Sequence, residues 1–75
     1  MEIRIGVTDN PRDLTLVLAD DADRDTVKAA VEAALAGTSA TWWLTDAKGR
    51  EVAVASSRLA YVEIGPAGAN PIGFG

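Results

Sequence analysis

The chain opens on a clean alternation. In "MEIRIGV", Ile3, Ile5 and Val7 fall on one side and Glu2 and Arg4 on the other, the period of a half-buried strand. "TDNPRD" follows, rich in turn formers, and Pro11 has no N–H to give to a ladder. "LTLVLA" resumes the alternation, with Leu14, Leu16 and Leu18 expected inward and Thr15 and Val17 outward. Two such runs joined by a short polar loop predict a hairpin. The period then changes. In "DDADRDTVKAAVEAALAG", Val27, Val31, Ala34 and Leu35 recur at helical spacing. Asp23 is placed to cap the helix N-terminus, Asp25 adds negative charge to its first turn, and Gly37 suits the residue that ends it. The predicted helix runs from Arg24 to Ala36. "ATWWLT" is the third strand, "DAKG" a turn with Gly49 at a left-handed position, and "REVAVA" the fourth strand. "SSR" breaks the pattern, and "LAYVEIG" is the fifth strand, with Val62 and Ile64 inward and Tyr61 and Glu63 outward.

The order ββαβββ predicts an α+β domain over residues 1–65, with one helix packed on one face of a five-stranded sheet. Residues 66–75, rich in glycine and proline, form a C-terminal tail expected to be loosely ordered. The layout resembles the β-grasp (ubiquitin-like) roll, above all in "MEIRIGV", its hairpin and "DTVKAAVEAAL". The connection from Val54 to Tyr61 is short, however, and suits antiparallel neighbours better than the long crossover a parallel pair needs. An antiparallel meander of strands three, four and five beside the first hairpin is the alternative. The inward and outward assignments are the same in both.

Composition narrows the chemistry. With 75 residues there is material for one small domain, which buries only roughly 60% of the surface its unfolded chain exposes. Self-association would add buried area. The chain has no cysteine and no histidine. Disulfides, thiolate metal sites and every catalytic device built on imidazole are excluded. Neither a signal peptide nor a membrane span is visible, so a cytoplasmic location is expected. A formal net charge of −4 opposes non-specific binding to nucleic acid.

Few residues point to a reaction. Counted from Asp21, the acidic run with Glu32 at the twelfth place imitates a calcium loop, but Thr26 stands where the sharp turn needs glycine. Those carboxylates are better read as a helix start. Ser56, Ser57, Thr26 and Tyr61 carry hydroxyls without an activating base, and Ser56 and Ser57 fit a turn. "GPAGANPIGFG" opens no helix and makes a poor phosphate loop. The ending Phe74-Gly75 departs from the Gly-Gly of ubiquitin-like modifiers. No catalytic residue, cofactor or metal is expected.

The outward face of the sheet carries more. Parity splits the adjacent tryptophans: Trp42 and Leu44 point inward, Trp43 outward with Thr41 and Thr45. The same face holds Arg4, Val17, Ala53, Ala55, Tyr61 and Glu63. The small alanines leave it accessible to a partner. Alternatively, Trp43 lies flat over the alanines and covers its own sheet.

"MEIRIGVTDNPRDL", "LTDAKGREVAV", "RLAYVEIG" and the closing "GFG" resemble a small actinobacterial family, domain-of-unknown-function family three-one-zero-seven. The similarity spans Met1 to Gly75 and is most specific at Leu44-Thr45-Asp46, Lys48-Gly49-Arg50 and Ala60–Gly65. In that family the position of Trp43 more usually carries a small polar residue and that of Ser56 often a proline, so the double tryptophan is a departure. The resemblance implies a cytoplasmic actinobacterial protein and no particular reaction.

The expected function is a non-enzymatic interaction module that binds a protein partner or itself through the open sheet face. Trp43 and Tyr61 would be its anchors and Arg4, Arg50 and Arg58 its polar partners. The alternative is single-stranded nucleic acid, its bases stacked on Trp43 and Tyr61 and its phosphates on the same arginines. Small-molecule or nucleotide binding has only the glycine-rich tail in its favour.

Overall fold

The computed structural model describes residues 1–66. The tail read from the sequence as loosely ordered, including Phe74 and Gly75, lies almost wholly outside them. The elements are β1 (Glu2–Val7), β2 (Leu14–Val17), α1 (Arg24–Ala36), β3 (Thr41–Thr45), β4 (Glu51–Ala55), a single 3₁₀ turn (Ser56–Arg58) and β5 (Leu59–Ile64). One helix and five strands make a mixed α+β fold. No helix among the described residues is long and apolar enough to cross a membrane.

The helix has the predicted bounds, for the predicted reasons. Asp23 is extended, and its carboxylate accepts from the Thr26 N–H at 2.9 Å and the Thr26 hydroxyl at 2.6 Å. Those bonds, the hydroxyl's first, hold the Asp23 carboxyl below its ordinary pKa. Gly37 ends the helix at φ +77°, a left-handed conformation that costs glycine nothing. One expectation fails. Leu35 is 50% exposed, because the stripe that meets the sheets runs through Val27, Val31 and Ala34. Leu35 lies about 100° round the axis from Ala34.

The strands form two sheets, which corrects the single five-stranded sheet. β2-β1-β5 is one and β3-β4 the other, every pairing antiparallel. β4 and β5 share no ladder, so the meander of the last three strands is absent too. The 3₁₀ turn causes this. It carries the chain away from β4, and the Thr8 N–H bonds the Arg58 carbonyl at 2.8 Å. Leu59 is thereby delivered opposite Val7, on the far edge of β1.

The sheets meet through few bonds. The Ala47 N–H donates to the Val17 carbonyl at 2.7 Å, which ties the tip of the β3-β4 hairpin to the edge of β2. Between the sheets and α1 lies a core of Ile3, Ile5, Leu16, Leu18, Val31, Ala34, Trp42, Leu44 and Val54. Parity therefore placed the inward residues correctly, except Leu14. It is 41% exposed at the start of β2.

Candidate functional site

The candidate residues fall in three places. Arg4 and Tyr61 come together on the outer face of β2-β1-β5. Tyr61 is opposite Gly6 in the ladder, and its ring lies across that glycine: a Cβ built on Gly6 would stand 2.1 Å from Tyr61 Cε2. The hydroxyl donates to Asp13 Oδ2 at 3.1 Å. Arg4 reaches the same carboxylate at 3.7 Å and Glu63 at 3.1 Å. The hydrogen bond to Asp13 raises the Tyr61 pKa above its ordinary value; partial burial and the neighbouring carboxylates add to it and Arg4 opposes it. Both residues are thus engaged within the chain.

Arg50 lies at the tip of the other sheet. Its Nε donates to Asp46 Oδ2 at 2.6 Å, while Asp46 Oδ1 accepts from the Lys48 N–H at 2.9 Å and the Arg50 N–H at 2.8 Å. This arrangement builds the turn, with Gly49 at φ +84°. The Asp46 side chain is almost fully buried. The backbone bond from Arg50 is the largest influence on its carboxyl and holds the pKa below the ordinary carboxylate value, against the opposing effect of burial.

Trp43 stands on the same hairpin, opposite Ala53 in the ladder and 65% exposed. It does not meet Tyr61, which belongs to the other sheet. With Trp42 it borders two shallow hollows against α1, of about 180 and 290 Å³, at Val27, Ala30 and Ala33.

Arg58, on the 3₁₀ turn, borders a larger groove of about 460 Å³ between β4 and the loop from β1 to β2. Arg12 and Leu14 face the same groove. Reasoning from the sequence missed both. "TDNPRD" was legible as a turn, but periodicity says nothing of what a loop will face. Alternation placed Leu14 inward, so no sequence signal marked either residue.

The described residues contain no cluster of acidic side chains arranged to hold a metal ion. Exposed among the described residues are the Trp43 indole, several guanidinium groups and an unpaired strand edge of β4.

A family model described as a protein of unknown function (DUF3107) matches residues 1–75, the whole chain. Among curated proteins, none matches.

Proposed function

We propose that this chain, which belongs to the DUF3107 family of proteins of unknown function, is a non-enzymatic interaction module whose contact surface is centred on the outer face of the β3-β4 hairpin. The observation that carries this reading is Trp43. Its side chain is 65% exposed beside Thr41, Thr45 and Ala53, and its indole N–H has no acceptor among the described residues. A large aromatic kept in water loses burial worth about 2 kcal/mol or more. Such residues are the usual anchors of protein interfaces. Ala53 and Ala55 leave room beside it.

Tyr61 and Arg4 contribute less to such a surface, because Asp13 and Glu63 already hold them. The same carboxylates weaken the nucleic-acid alternative. A phosphate backbone laid along Tyr61 would meet two negative charges at once.

The test is a photo-crosslinking residue placed at position 43 of the full chain, with position 28 on the outer side of α1 as control. Exposure to cell extract should give a discrete adduct from position 43, identified by mass spectrometry as one recurrent protein or a second copy. Adducts no more frequent than those from position 28 would remove the reading.

A further inference from the structure

We propose that the free edge of β4 takes up an extended acidic peptide of another protein as an added strand, seated in the groove between β4 and the β1–β2 loop. This rests on the reading of the domain as an interaction module and names the partner's chemistry.

The hydrogen-bond parity of the hairpin defines the edge. The Asp46 N–H donates to the Arg50 carbonyl at 2.9 Å, and the Ser56 N–H to the Ala40 carbonyl at 3.0 Å. Between these bonds the register is regular, with Trp42 opposite Val54 and Leu44 opposite Val52. Val52 and Val54 therefore bond to β3. Glu51, Ala53 and Ala55 turn their N–H and C=O groups to the other side. Among the described residues β4 pairs with β3 alone. Folded proteins blunt such edges with lysine, proline, a bulge or a covering segment. The centre of this edge has two alanines and an unbroken register.

The groove beside it supplies the rest of a binding site. Val7 and Leu14 form an apolar wall facing Val54, and Arg12 and Arg58 stand at its border. Leu14, 41% exposed, offers surface to bury. The other paired arginines, Arg4 and Arg50, meet carboxylates of the chain, whereas Arg12 and Arg58 have no ion-pair partner among the described residues. Asp13 also lines the groove, but Tyr61 and Arg4 already engage its carboxylate, and Glu51 stands at the end of β4 away from Arg58. The two unmatched cations beside the strand edge favour an acidic ligand. The loop that presents Arg12 is locally ordered. Asp9 adopts φ +63°, and Asn10 Oδ1 accepts the Arg12 N–H at 3.0 Å.

Strand addition matches this layout. Main-chain bonds to Glu51, Ala53 and Ala55 would hold the peptide, and alternate side chains would enter the groove. The added strand would lie about 4.8 Å from β4, within reach of the Trp43 indole across the small side chain of Ala53. A second copy fits less well. An antiparallel pairing of two β4 strands centred on Ala53 would bring a single carboxylate, that of the other copy's Glu51 opposite Ala55, to the two cations of each groove.

The test uses the full chain and a short acetylated, amidated peptide, DVTVDV, followed by amide and methyl NMR. The amides of Glu51, Ala53 and Ala55 should shift and gain protection from exchange, and the Leu14 and Val7 methyl groups should move. The lysine counterpart, KVTVKV, should bind about fivefold more weakly, and the double variant R12Q/R58Q should remove that preference. A peptide N-methylated on alternate backbone nitrogens should not bind, nor should DVTVDV bind A53P, whose fold is checked by circular dichroism. The proposal fails if these amides do not respond at millimolar peptide, or if both peptides bind equally. A doubled solution mass without peptide, reversed by A53P, would make a second copy the occupant and overturn it. Loss of peptide binding with the position-43 adduct retained removes this inference alone. Peptide binding without that adduct removes only the role of Trp43.

Discussion

The Tyr61 ring occupies the space that a side chain on Gly6 would need. The two are ladder partners, and a methyl group at Gly6 would come within 2.6 Å of three ring carbons. Covering a strand glycine with a cross-strand aromatic restores the packing that glycine lacks. Gly6→Ala should therefore push the ring aside, break the bond to Asp13 and cost roughly 1–3 kcal/mol. Chemical denaturation measures the loss. A variant as stable as the parent would show that the ring relocates freely.

The same contact sets a titration. The chain has one tyrosine, so its ionisation can be followed by ultraviolet absorbance. The folded pKa lies above 10.0 because the hydroxyl donates to Asp13. The stability this contributes is fully present below the unfolded value and is lost as pH rises through the raised one. Asp13→Ala should lower the folded pKa toward the ordinary value. An unchanged titration curve would contradict the bond.

Asp46 acts at the opposite end of the pH scale. Its carboxyl is held below the ordinary 3.8 chiefly by the Arg50 backbone bond. The stabilisation is present above that ordinary value and is lost as pH falls through the depressed one. Asp46→Asn keeps an acceptor for the turn but loses the charge-assisted bond to Arg50. It should melt several degrees lower than the parent at pH 7, roughly the effect expected of one such bond in a small domain. The gap should narrow as pH falls below the ordinary carboxylate value. Melting curves over that range decide it.

The adjacent tryptophans should behave in opposite ways. Trp42 is 7% exposed within the core. Trp42→Ala should cost about 3–5 kcal/mol, a large part of the roughly 4–11 kcal/mol expected of a domain this size. Trp43→Thr should change stability by no more than about 0.5 kcal/mol. Acrylamide should quench Trp43 and largely spare Trp42, read in Trp43→Phe and in the parent.

Ser56 carries a buried hydroxyl oxygen with no hydrogen-bond partner among the described residues. Such a group costs free energy when taken out of water. Ser56→Ala, which keeps the backbone bond to Ala40, should be neutral or stabilising by up to about 1 kcal/mol. Destabilisation beyond that would mean the hydroxyl has a bond of its own.

Local pattern decided much of this molecule. Asp23 and Gly37 bound the helix because caps act within a few residues. Asp46 and Gly49 mark the hairpin tip for the same reason. Alternation sorted Trp42 from Trp43 and placed Ile3, Ile5 and Leu16 inside, since the side-chain period of a strand is independent of its neighbours. The choice of neighbour is not local. β5 joins β1 because the 3₁₀ turn at Ser56–Arg58 redirects the chain and Thr8 receives it, and no periodicity encodes that turn's direction. That choice separates Tyr61 from Trp43 by placing them on different sheets. Only the tertiary structure leaves the β4 edge unpaired among the described residues and sets Arg12, Leu14 and Arg58 beside it, because a groove is made by segments distant in the chain.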